Sequence, residues 1–102
     1  MLVNRRTIRV KPGRTEELVA LVKVEQVADT ARASVISTMR IYTPVFGQFD
    51  QVILEWDYRS LADYEKQWAE WEAQPATAEF VSKWMELIEP GTTSEIWTVE
   101  VV

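Results

Sequence analysis

The sequence contains no cysteine and no histidine. The first absence removes disulfides, thiolate nucleophiles and thiolate metal sites together. The second removes the usual general base near neutral pH, and the two together remove the main zinc ligands. Serine-histidine triads, cysteine-histidine pairs and histidine-ligated haem are thereby excluded. A carboxylate-only Mg²⁺ or Ca²⁺ site survives that exclusion, but no Asp-rich loop with the required ligand spacing occurs, so neither a metal site nor any cofactor is expected.

Long apolar runs are also missing. None approaches the roughly 18 residues of a spanning helix, and Met1 to Val10 carries arginines where a signal peptide would have its apolar centre. A cytoplasmic protein with no membrane partner is expected. An excess of positive charge is lacking too: the net charge of −5 makes a phosphate-neutralising surface, and so a nucleic-acid partner, an unfavourable expectation. The charge is uneven, however. Residues 1–40 hold eight Lys/Arg against four Asp/Glu, and residues 41–102 hold three against twelve, so the halves attract each other.

What is present is an ordinary globular composition, 47% hydrophobic and 26% charged over 102 residues. That length supports one hydrophobic core and a single domain spanning 1–102.

Leu2 to Val10 reads as a strand, with Leu2, Ile8 and Val10 on one parity and Arg5, Thr7 and Arg9 on the other. Lys11-Pro12-Gly13 stops it. Thr15, Glu16 and Glu17 supply a hydroxyl and two anions at a helix start, and Leu18, Leu21, Val22 and Ala28 recur at helical spacing to about Thr30. Ser34 to Thr43 and Gln48 to Tyr58 read as a hairpin turned by Pro44 and Gly47. Ser60 and Asp63 form a variant capping box, followed by the stripe Leu61, Tyr64, Trp68 and Trp71. Pro75 must break or kink this helix near Gln74, and Phe80, Val81, Trp84, Leu87 and Ile88 resume the period beyond it. After Pro90-Gly91, Ser94 to Val102 alternates as a last strand. This βαββαβ order predicts an α+β, ferredoxin-like fold: a four-stranded antiparallel sheet with both helices on one face and strand one between strands three and four.

With the more apolar parity of each strand turned to the helices, the opposite face carries a mixed set that includes Ile36, Tyr42, Phe49, Ile53 and Ile96. Such a patch is more than a monomer ordinarily leaves wet. A second copy of the same face is its simplest cover, so a homodimer is expected. Arg5 and Arg9 are expected to reach Glu55 on one side and Glu100 on the other.

The βαββαβ order, the Val10-Lys11-Pro12-Gly13 strand end, Arg40-Ile41-Tyr42, and the run Leu54-Glu55-Trp56-Asp57-Tyr58-Arg59-Ser60-Leu61 leading into a Trp-rich helix together resemble the dimeric α+β barrel superfamily. Within it, the pattern is similar to small NIPSNAP-type proteins. The resemblance implies a dimeric barrel more than a chemistry. Members include cofactor-independent monooxygenases, haem-degrading monooxygenases, lactone isomerases and proteins with no known activity. The haem-degrading pattern has no counterpart here, because its histidine is absent.

Arg40 and Tyr42 sit on alternate positions of one strand, so a cation and a phenol point into the same space and can hold an anionic or carbonyl ligand. The competing reading is that Arg40 pairs with Glu55 alone. Glu55, partly buried among Ile53, Phe49 and Tyr42, is the candidate proton-abstracting group, with Tyr42 as its catalytic companion. Burial raises its pKa and a neighbouring arginine lowers it. Arg9, Phe49, Gln51 and Ile53 complete the candidate ligand-binding set. The tryptophans read as core, with Trp56 and Trp97 on the helix-facing parity. Gln74-Pro75-Ala76-Thr77 reads as a gate or as a plain kink, and the residues do not separate the two. Three functions follow: a homodimer holding a small apolar or aromatic molecule against the second face of the sheet, a cofactor-independent monooxygenase or isomerase acting on a phenolic or carbonyl substrate, and a pure dimerisation module.

Overall fold

The computed structural model describes residues 1–35 and 37–102. The elements are β1 (Leu2–Arg9), α1 (Thr15–Arg32), β2 (Thr38–Tyr42), β3 (Gln51–Tyr58), α2 (Leu61–Glu72), α3 (Thr77–Leu87) and β4 (Thr93–Thr98). The strands form one antiparallel sheet in the order β2-β3-β1-β4. This is the ferredoxin-like arrangement, with the second helix divided in two at Pro75. Ile36, assigned to the exposed-face patch from sequence, lies outside the described residues.

The core forms where the apolar parities of the two central strands meet the helices. Ile8 and Val10 from β1 and its extension, Val52 and Leu54 from β3, Leu18 and Val22 from α1 and Leu87 from α3 make one buried cluster. Each such side chain contributes about 1.5–3 kcal/mol by leaving water. Asn4, on the same parity, is 1% exposed and satisfies its amide nitrogen on Ser94 Oγ at 3.0 Å and the Glu95 carbonyl at 2.9 Å. The chain after α3 also leans on β1: Val10 bridges Ile88, and Glu89 N donates to the Arg9 carbonyl at 2.8 Å.

The element ends have local causes. Ser60 caps α2 by accepting from Asp63 N at 3.2 Å, whereas α1 starts from Arg14 with no side-chain cap and relies on Glu16 and Glu17 in its first turn. Strand β2 begins at Thr38, later than its β-branched run suggests. Ser34 is instead held by the Glu70 carboxylate through both its backbone N–H and its hydroxyl, and Ser37 Oγ accepts from Gln67 Nε2. Strand β3 begins at Gln51 because Asp50 takes φ 55°, a left-handed conformation that interrupts a ladder. Strand β4 stops at Thr98 because its partner β1 starts at Leu2, opposite Thr98.

One parity differs from the sequence expectation. Register places Trp97 opposite Val3, and Ile96 opposite the helix-facing Asn4. Trp97 therefore lies on the open face with Val3 and Arg5, while Ile96 points to the helix side. The expected pairing of Arg9 with Glu100 fails for the same reason: Glu95 stands opposite Arg5, and Glu100 falls beyond the strand. The more apolar parity of β4 faces away from the helices, which reverses the rule used to orient it.

Candidate functional site

The open face of the sheet carries a dense ion-pair network built by register. Cross-strand pairing sets Glu55 between Arg5 on β1 and Arg40 on β2. Arg5 Nε donates to Glu55 Oε2 at 2.6 Å. Arg40 Nε and Nη2 donate to Glu55 Oε1 at 3.3 and 3.2 Å, and the Tyr42 hydroxyl donates to that oxygen at 2.9 Å. Arg40 also grips Asp57 with two hydrogen bonds of 2.7 and 2.8 Å, and Thr38 Oγ1 donates to Asp57 at 2.7 Å.

The electrostatics of Glu55 follow from these partners. It is 4% exposed, and burial pushes its carboxyl pKa upward. Hydrogen bonds from Arg5, Tyr42 and Arg40 more than offset that push, so the net shift is below the usual glutamate value. Hydrogen bonding by Arg40 is the main reason the Asp57 carboxyl is lowered as well, against an upward push from burial. A carboxylate so held is a poor proton acceptor near neutral pH. Of the residues singled out from sequence, Arg40, Tyr42 and Glu55 thus come together. Ile53 lies beside Tyr42 and Thr7, and Gln51 pairs with Arg9 at the far end of the same face. Phe49 lies outside the strands and is 85% exposed.

A second concavity, partly open to solvent, lies on the other side of the sheet. Between the sheet and the three helices is a cavity of about 370 Å³, within the range of small-molecule sites. Its walls are aromatic: Trp56 from β3, Trp68 and Trp71 from α2, and Phe80 and Trp84 from α3. Tyr58, Tyr64, Trp68, Trp71, Phe80 and Trp84 form a continuous chain of ring contacts with centroid spacings from 5.3 to 6.4 Å. All but the last contact are edge-to-face, the arrangement that aromatic quadrupoles favour. The helical spacing aims these rings at the sheet as expected, but α2 and α3 do not press them flat against it, and the tryptophans stay half-buried around the cavity.

The polar groups in this apolar setting are few. Arg6 rises from the central strand with its guanidinium carbon 4.2 Å from the Trp68 ring centroid and 5.5 Å from that of Trp56. Its Nε is fully shielded and has no acceptor. Burial lowers its pKa from the ordinary arginine value, with the Tyr64 and Tyr58 phenols acting in opposition, and it remains a cation. Glu25 accepts from Trp71 Nε1 at 3.0 Å and pairs with Arg32 at 3.5 Å. Gln67 donates to Asp29 at 3.3 Å and to Ser37 at 3.0 Å, while its Oε1 is buried and has no donor among the described residues. Burial raises the Asp29 carboxyl above the usual aspartate value.

The NIPSNAP family model matches residues 3–98. The chain belongs to the NIPSNAP family. An uncharacterized NIPSNAP domain protein from Burkholderia xenovorans superposes with a TM-score of 0.82 at 20% identity, covering 98% of this chain and 95% of that one. A NIPSNAP family protein of unknown function from Agrobacterium tumefaciens gives 0.77 at 22% identity, over 95% and 86% of the two chains. A proposed antibiotic biosynthesis monooxygenase from Nitrosomonas europaea gives 0.73 at 13% identity, over 97% and 98%. At these identities the likeness is one of fold. No curated protein matches the chain.

Sequence reasoning did not single out the cavity of this NIPSNAP domain. Arg6 shares the parity of Ile8 and Val10, so its burial was legible as a cation on an inward-facing position. Trp56 was correctly set on the helix side, and with Trp68, Trp71 and Trp84 it lines the cavity, so that four of the chain's five tryptophans do. Gln67 and Asp29 gave no signal, because each looks like an ordinary polar residue on an amphipathic helix. Among the described residues, no helix is long and apolar enough to cross a membrane.

Proposed function

We propose that this NIPSNAP-family protein binds a small, ring-bearing molecule between its sheet and helices, and that it does so as a homodimer whose open sheet faces cover one another. The cavity carries the first half of the reading. Aromatic walls around about 370 Å³, with a small number of polar groups among them, are the usual composition of a small-molecule site. A pure dimerisation module has no use for such a space.

The open face supports the second half. Trp97, 53% exposed, and Val99 lie with Val3 around the Arg5–Glu55 pair, lining a shallow recess. Large apolar side chains beside an already neutralised ion pair suit burial against a second copy. Native mass spectrometry tests both halves. A dimer that retains extra mass is the expected result; a monomer at micromolar concentration contradicts the dimer, and a dimer that takes up no aromatic compound contradicts the binding reading.

A proton-transferring enzyme without a prosthetic group is a second reading, favoured by the raised Asp29 carboxyl at the cavity wall. The Nitrosomonas neighbour's description makes an oxygenase the other form of the same idea. Deuterium exchange into a bound carbonyl compound in D₂O, lost in Asp29→Asn with binding retained, is the outcome it requires. Exchange that persists unchanged in that variant removes Asp29 from the chemistry.

A further inference from the structure

We infer that the ligand of the aromatic cavity is a ring-bearing carboxylic acid whose carboxylate is held by Arg6. This deepens the small-molecule reading above and rests on it.

Charge accounting around the cavity points to the acid. Its lining includes two carboxylates, and both have a protein cation nearby: Glu25 pairs with Arg32 and accepts from the Trp71 indole, and Asp29 accepts from Gln67 and feels the charge of the same Arg32. The lining cation has no such counterpart. Among the described residues, Arg5, Arg14, Arg32, Arg40 and Arg59 each pair with an Asp or Glu, whereas Arg6 has no carboxylate within ion-pair distance. Its polar neighbours are the uncharged phenols of Tyr64 and Tyr58. Arg6 is half-buried with its Nε fully shielded; a partly desolvated cation without a counter-ion is costly, and a bound anion relieves that cost.

Geometry points to a ring. The guanidinium carbon lies 4.2 Å from the Trp68 ring centroid and 5.5 Å from that of Trp56, so cation–π attraction holds its donor fork against the aromatic wall. A carboxylate meeting that fork in its own plane carries an attached planar group in among Trp68, Trp71, Phe80 and Trp84, where π faces and edges are on offer. Gln67 Oε1, a buried acceptor with no donor among the described residues, adds a place for a hydroxyl or N–H on the same ligand.

Calorimetric titration with 2-naphthoate and with 2-naphthamide, which share a ring and differ in charge, tests the inference on the unmodified protein. The acid is expected to bind about tenfold to hundredfold more tightly, the range for one charge-assisted hydrogen-bonded pair. In Arg6→Gln, shown to be folded by its circular dichroism melt, the acid should fall to the affinity of the amide while the amide is unchanged. Equal binding of acid and amide to the unmodified protein overturns the acid preference and leaves the cavity reading standing. Binding of neither compound overturns both.

Discussion

Arg5 and Arg6 are adjacent in the chain and point to opposite faces of the same strand. Arg5, on the open face, finds Glu55 at 2.6 Å in a network with Arg40, Tyr42 and Asp57. Arg6, on the helix-covered face, lies over the Trp68 ring and, among the described residues, pairs with no carboxylate. The open face has thus spent its charges internally and offers a neutralised surface to whatever covers it. The covered face has kept one cation unspent inside an apolar cavity. Saturated charge belongs with structure and assembly, and an unpaired, half-buried charge belongs with a ligand.

The open-face network depends most on Glu55. Glu55→Ala strips Arg5, Arg40 and Tyr42 of their shared acceptor and leaves two like charges on the strands that flank β3. A loss of about 2–3 kcal/mol is expected in urea unfolding, less than for a fully buried pair because both arginines keep contact with water. A loss under about 0.5 kcal/mol would show that the network contributes little.

Acid titration sharpens the same point. The folded pKa of Glu55 lies below its unfolded value, so its stabilisation is complete above the usual glutamate pKa and is lost as pH falls through the folded one. The stability gap between the unmodified protein and Glu55→Gln should therefore be widest near neutral pH and close as the pH falls below about 4. A gap that widens in acid has the wrong sign for this account.

The smallest stability effect is expected on the other face. Arg6→Met removes a cation that no carboxylate balances and keeps much of the packing against Trp68 and Trp56, so unfolding free energy should change by no more than about 1 kcal/mol, in either direction. A loss as large as that for Glu55→Ala would mean that Arg6 is a structural residue.

How far the sequence discloses these faces depends on the strand. In β1 and β3 the apolar parity runs through Ile8, Val10, Val52 and Leu54, and the inward direction is unambiguous. In β4 both parities are mixed, and Trp97 and Val99 made the outward one look like core. Their apolar character answers to the open face, which a rule that sends apolar residues to the helices cannot represent. The Arg40, Tyr42 and Glu55 cluster was readable because side chains at two-residue spacing share a face and cross-strand partners follow from a hairpin. The cavity was not. It depends on how far α2 and α3 stand off the sheet, a matter of helix packing on either side of Pro75 that periodicity does not encode. The stretch Gln74 to Thr77 shows the same limit: it breaks the helix as proline requires, and its groups are taken up locally, with Gln74 N donating to the Trp71 carbonyl and Thr77 N to the Gln74 carbonyl, each at 3.1 Å.

The most direct test of the helix-side cavity uses the tryptophans themselves, since Trp56, Trp68, Trp71 and Trp84 line it and Trp97 lies across the sheet. Each indole N–H gives its own signal in a ¹H–¹⁵N correlation spectrum. Titration with 2-naphthoate should move the signals of Trp68 and Trp56 most, those of Trp71 and Trp84 as well, and leave Trp97 in place. A spectrum in which Trp97 moves while the other four stay still would put the ligand on the open face and contradict the account.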